Sequence, residues 1–98
     1  MSDTPVEDDY DDVDANTIPA ATATDVLEYI VRSVVSEPDA VEIEIDESRR
    51  TVGLNVHVAP DDMGRVIGRR GRIANSIRTV VRAAAARDNT SVEVEFVD

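Results

Sequence analysis

The residues best placed to do chemistry lie in one short run, Gly64-Arg65-Val66-Ile67-Gly68-Arg69-Arg70-Gly71-Arg72-Ile73. Two glycines bracket two arginines. A residue without Cβ lets another backbone approach the main chain closely. Arginine forks onto phosphate oxygens, whereas lysine offers only a point charge. Arg72 opens a predicted helix, whose free N–H groups and positive dipole end favour an anion. Arg65 stands just upstream, and Val66, Ile67 and Ile73 are apolar residues expected to line a groove beside the loop, where bases would lie. The chemistry these types offer is non-covalent capture of a phosphodiester chain. A lone G-x-x-G is more often a plain helix–helix turn. Its placement between two predicted helices, with arginines at the tip, favours the phosphate reading.

Other candidates carry less. The chain has no cysteine, which excludes disulfides, thiolate metal sites and cysteine nucleophiles. His57 is the only histidine and sits on the outward side of a predicted strand, a surface residue rather than a ligand or base. Glu42 with Glu44, and Glu93 with Glu95, alternate on the polar sides of strands, which is ordinary solvation. Arg78 and Arg82, four apart on one helix, read equally as a solvated face or as a second phosphate track, and Arg87 near a helix end complements the dipole. The aromatics Tyr10, Tyr29 and Phe96 are too few for a stacking platform. No catalytic residue, metal site or cofactor is indicated, and the protein reads as a binding module rather than an enzyme.

The formal net charge of −11 taken alone argues against nucleic acid. The distribution reverses that inference. From Met1 to Asp62 there are 17 acids against three arginines, whereas Gly64 to Arg87 holds seven arginines and no acid. Residues 1 to 16 carry seven acids and no base, a composition that predicts a disordered tail. Residues 17 to 23 read as a small-residue linker, so the domain is expected over 24–98. A tethered polyanion of this kind reads either as a competitor with a phosphodiester chain for Arg69 and Arg70 or as a device that only aids solubility. Met1 to Pro5 contain no basic or apolar run, and no stretch approaches about 18 apolar residues; a cytoplasmic location is expected.

Periodicity places the loop. Val26, Leu27, Ile30, Val31, Val34 and Val35 trace one face of a helix expected from Thr24 to Ser36, with Thr24 or Asp25 as its cap and Pro38 beyond its end. Val41 to Ile45 alternate, with 41, 43 and 45 inward. A polar turn over 46–50 leads to a second strand with Val52, Leu54, Val56 and Val58 inward, an antiparallel hairpin. Asp61 is a plausible cap for a short helix over 62–67. A second helix is expected over 72–87 with Ile73, Ile77, Val80, Val81 and Ala84 on its core face, then a strand over 92–96. The order α-β-β-α-α-β implies an α+β fold, two layers with a three-stranded sheet covered by three helices.

The run Val66-Ile67-Gly68-Arg69-Arg70-Gly71 resembles the KH signature, and the element order is similar to the type II arrangement. More closely, residues 57 to 81 resemble the small single-domain bacterial KH proteins of the KhpA type, and the likeness extends over roughly 24 to 97. The resemblance implies that the loop clamps about four nucleotides of a single RNA strand by their backbone, with Gly68, Arg69, Arg70 and Gly71 as the clamp. It further implies an RNA chaperone or post-transcriptional regulator connected with cell shape. It implies a dimer as well, either a homodimer or a heterodimer with a larger KH partner of the KhpB type, without membrane association. The competing implication is a protein-interaction subunit that docks such a partner, with RNA binding secondary. Ala74 stands where many KH domains place an isoleucine.

Overall fold

A computed structural model describes residues 20–48 and 50–97. The acidic segment 1–16 lies outside the described residues. The elements are α1 (Ala21–Val34), β1 (Glu42–Asp46), β2 (Val52–His57), α2 (Met63–Ile67), α3 (Arg72–Arg87) and β3 (Val92–Val97), with short 3-10 turns at Pro38–Ala40, Pro60–Asp62 and Arg69–Gly71. The sheet order is β1-β2-β3. β1 and β2 form the expected antiparallel hairpin, from Glu42 opposite His57 to Asp46 opposite Gly53. β3 runs parallel to β2, from Val52 beside Val92 to His57 beside Val97. The intervening α2–loop–α3 unit is the crossover that a parallel pair requires. The three-stranded sheet with three helices is the expected α+β architecture.

One core joins the two layers. Leu54 and Val56 of the central strand, Val94 of β3, Leu27 and Val31 of α1, and Val66, Ile77 and Val81 of the crossover are all 4% exposed or less, and they form a single cluster. Burying each such aliphatic side chain is worth about 1.5–3 kcal/mol relative to exposure.

Four details depart from the periodicity reading, each for a packing reason. α1 begins at Ala21, inside the stretch expected to be linker. Its N-cap is Ala20, in a left-handed conformation (φ 57°), and neither Thr24 nor Asp25 caps it. Alanine is the best helix former, and Ala20 and Ala23 are buried, so core contact extends the helix backwards by three residues. α3 has the expected bounds but is turned about its axis. Its buried residues are Ala74, Ile77, Val81 and Ala85, at spacings of 3, 4 and 4. Ile73 and Val80 are 40% and 49% exposed. Ala74 and Ala85, rather than Ile73 and Val80, join Ile77 and Val81 on the inward face, and these small residues allow α3 to lie close to its neighbours. Ile45 is also exposed, because β1 is an edge strand that contacts little besides β2. Finally, Asp61 does not cap the short helix. The Pro60–Asp62 turn runs directly into α2 without a side-chain cap.

Candidate nucleic-acid interface

The loop is built from three backbone conformations that ordinary residues avoid. Gly68 has φ 74° and ψ 177°, Arg70 has φ 56° and ψ 24°, and Gly71 has φ 73° and ψ 15°. The first lies in a region open essentially to glycine alone. The third is left-handed, where a Cβ is disfavoured. Arg70 bears that cost itself. Strain of this kind persists only where the surroundings over-determine it, and it concentrates at ligand clamps.

The surroundings are firm. On one side Val66 is fully buried in the core, and on the other Ala74 and Ile77 are buried. Gly68 is seated against Ile73: a Cβ added there would lie 2.7 Å from Ile73 Cγ1. Within the turn, the Gly68 N–H donates to the Gly64 carbonyl at 2.9 Å and the Gly71 N–H to the Gly68 carbonyl at 3.2 Å. The Arg72 N–H donates to the Arg69 carbonyl. The N–H groups of Arg69 and Arg70, at the tip, find no partner among the described residues.

The side chains repeat that pattern. Arg69, Arg70 and Arg72 are exposed and make no ion pair with any described residue. Among the described residues, the tip therefore presents two amides and two guanidinium groups without partners, with a third guanidinium at the head of α3. Groups arranged this way accept a phosphate through charge-assisted hydrogen bonds, roughly twice as strong as neutral ones.

The remaining predicted site residues divide. Ile67 is half-buried and Ile73 exposed beside the loop, so both can present apolar surface there. Val66 cannot. It was expected in the groove lining, but as the residue of α2 that anchors the short helix it points into the core and does not reach the surface. Arg65 is exposed over 62% of its side chain and places Nε 3.4 Å from Asp62 Oδ1. Arg78 is tied to the sheet: its Nε donates to the Val94 carbonyl at 3.1 Å, its Nη1 to Asn75 Oδ1 at 3.0 Å, and its guanidinium lies 5.7 Å from the Phe96 ring centroid. His57 pairs across the hairpin with Glu44 at 3.2 Å, as a surface residue.

Asp62 is the residue that the sequence reading missed. It is fully buried, and its carboxylate accepts the N–H and hydroxyl of Ser36 and the N–H of Glu37. The Ser36 N–H is the main cause that holds its carboxyl below the ordinary value of 3.8. Burial opposes, while the Ser36 hydroxyl, the Glu37 N–H and the Arg65 charge add to the lowering. The folded state thus binds this proton less tightly than the unfolded state. Its stabilisation is complete above pH 3.8 and is lost as pH falls through the lower folded value. Denaturant melts taken between about pH 6 and pH 2 should show a shallower acid loss in Asp62→Asn than in the parent. Identical acid dependence in the two proteins would refute this assignment.

No helix among the described residues is long and apolar enough to cross a membrane, and no group of three or more potential metal ligands occurs among them. The family model described as "KhpA/KhpB, KH domain" matches residues 24–96. The RNA-binding protein KhpA of Clostridium acetobutylicum is 46% identical over 72 residues, covering 74% of this chain and 96% of that protein. The RNA-binding protein KhpA of Borreliella burgdorferi is 40% identical over 74 residues, covering 76% of this chain and 90% of that protein. The RNA-binding protein KhpA of Mycobacterium bovis is 42% identical over 79 residues, covering 81% and 95%. No solved structure matches the chain. The loop geometry, the α-β-β-α-α-β order and a match spanning nearly the whole described domain agree: the chain belongs to the KhpA/KhpB KH-domain family.

Proposed function

We propose that this protein binds single-stranded RNA, without catalysis, by clamping the strand's backbone on Gly68, Arg69, Arg70 and Gly71, and that it acts as an RNA chaperone or post-transcriptional regulator. The observation that carries the reading is the tip itself: two amides and two arginines without partners among the described residues, on a turn that Gly68 holds in glycine-only geometry. The relatives' designation as RNA-binding proteins supports the same class of ligand. Arg65 and Arg72 flank the clamp, and Ile67 and Ile73 offer the apolar surface on which bases lie. Nothing in a backbone clamp demands the 2′-hydroxyl, so a DNA strand of the same sequence is the natural control.

If Arg69, Arg70 and one of Arg65 or Arg72 meet phosphates, about three contacts form. Titration of a short single strand across ionic strengths should give a log–log slope near about −2, from roughly −0.7 per phosphate. A duplex of the same sequence should bind less well. A flat salt response, or a preference for duplex, would reject the clamp.

A second reading, docking to another KH chain, is favoured by one observation. Val80 is 49% exposed on the outer surface of α3, with the small exposed residues Ser76 and Ala83 one turn away on either side. Small neighbours permit close helix–helix approach around one apolar side chain. Sedimentation at high concentration should reveal a dimer that Val80→Glu converts to monomer. A strict monomer, together with no capture of a KhpB-type protein, would remove this reading. A dimer would also raise RNA affinity by avidity where one strand spans both loops.

A further inference from the structure

We propose that Asp62 is a positioning residue for phosphate recognition, holding Arg65 as a pre-set fork beside the loop; the proposal rests on the clamp reading above. Asp62 is the only fully buried charged side chain among the described residues. A buried carboxylate is retained only where donors and a counter-charge compensate its lost hydration. Here its two oxygens take three hydrogen bonds and one ion pair. Oδ1 accepts the Ser36 N–H at 3.0 Å and the Ser36 hydroxyl at 2.9 Å, Oδ2 accepts the Glu37 N–H at 3.1 Å, and Arg65 Nε lies 3.4 Å from Oδ1 as an ion pair. The three hydrogen-bond donors come from the connector that follows α1, 25 or 26 residues away in sequence. The ion-pair partner, Arg65, belongs to α2, which leads into Gly68. One carboxylate therefore pins the end of α1 to the base of the clamp.

Arg65 gains from this in a specific way. Its Nε is anchored, its side chain is 62% exposed, and its two Nη groups have no partner among the described residues. A planar guanidinium held at Nε directs its remaining donors outward as a pre-organised fork, which lysine cannot imitate. The anchor also disposes of a charge problem. An acid at the foot of an anion site would repel the ligand, but Asp62 is shielded by its burial and offset by its donors, so the arginine head remains the charge that a strand meets. Ordering a free arginine side chain on binding costs affinity, and the anchor removes that cost in advance.

The test is a double-mutant cycle of Asp62→Asn and Arg65→Ala, read as affinity for a short single strand and as the salt slope, with folding checked by circular dichroism. Arg65→Ala should weaken binding about three- to tenfold and make the slope less negative by about 0.7. Asp62→Asn should cost nearly as much when Arg65 is present and almost nothing when it is absent. An equal cost in both backgrounds assigns Asp62 a structural role only and overturns the proposal, as does wild-type affinity in Asp62→Asn. Should the asparagine protein fail to fold, Arg65→Lys decides. It leaves the Ser36–Asp62–Glu37 bonds in place and keeps the charge, yet should lose about as much affinity as Arg65→Ala; wild-type affinity there overturns the proposal. The Arg69→Asp/Arg70→Asp protein, run alongside, separates the two failures. If it loses RNA while the cycle shows no coupling, positioning alone is wrong. If it still binds, the clamp reading is wrong, and the positioning proposal falls with it.

Discussion

Replacing Arg69 and Arg70 together by aspartate should abolish the proposed RNA binding and leave the domain folded. Both side chains are exposed and hold no ion pair with any described residue, so the folded state loses no partner; surface changes of this kind usually cost within about 0.5 kcal/mol. The left-handed backbone at Arg70 (φ 56°) is no obstacle, because aspartate tolerates that region better than most residues. Binding is another matter. Hydrogen bonds to charged groups are worth about 1.5–3 kcal/mol each, so losing two corresponds to a fall of at least about a hundredfold, before repulsion between carboxylates and phosphates is added. Fluorescence anisotropy with a short labelled strand, beside a thermal melt, checks both halves. A folded double variant that binds like the parent places the interface elsewhere.

The two glycines of the loop should respond very differently to the same methyl group. Gly68→Ala meets two penalties. Its φ 74°, ψ 177° backbone excludes side chains, costing of order 1–3 kcal/mol, and its new Cβ would lie 2.7–2.9 Å from three atoms of Ile73, an overpacking contact of about 1–3 kcal/mol. Gly71→Ala meets only the left-handed penalty of about 1–2 kcal/mol, because no atom lies within 4 Å of its Cβ position. Denaturant unfolding should therefore rank Gly68→Ala as the more damaging by about 1 kcal/mol or more. Adding Ile73→Ala to Gly68→Ala should recover part of its excess loss, since it removes the Cγ1 and Cδ1 contacts but leaves the Cβ contact and the backbone strain. Equal losses at the two glycines would mean that the loop does not sit on Ile73 as described.

Much of this was legible in the chain. The bounds of α3, Arg72 to Arg87, follow from Gly71 before it and Asp88-Asn89 after it, both strong local signals. The strands follow from strict alternation, and the arginine-tipped glycine loop is visible as composition. What was not legible depends on contacts between distant segments. Ala74 and Ala85 fit the inward stripe by spacing, but larger aliphatics at 73 and 80 carry more hydrophobic weight, so the face was assigned a fraction of a turn away. Val66 was drawn to the groove because it adjoins the loop in sequence; its burial depends on α1 and α3 closing over α2. Asp62 looked like a turn residue preceding a helix. Its donors lie on Ser36 and Glu37, in a connector that no local pattern associates with it. The parallel pairing of β3 with β2 likewise belongs to the return path of the crossover and leaves no mark in either strand.

Arg78 carries a consequence for how this protein keeps company with copies of itself. A three-stranded sheet has two outer margins, and unpaired strand margins are templates for runaway addition of further strands, the first step toward fibrils. Along β3, the Arg78 guanidinium sits on the Val94 carbonyl and against Phe96, stoppering the ladder with a cation. Along β1, exposed Glu42 and Glu44 alternate with Ile43 and Ile45, so a second β1 laid alongside would bring carboxylates together. Both margins are thereby made poor nucleation sites for strand addition, even though Ile45 stays exposed on the β1 side.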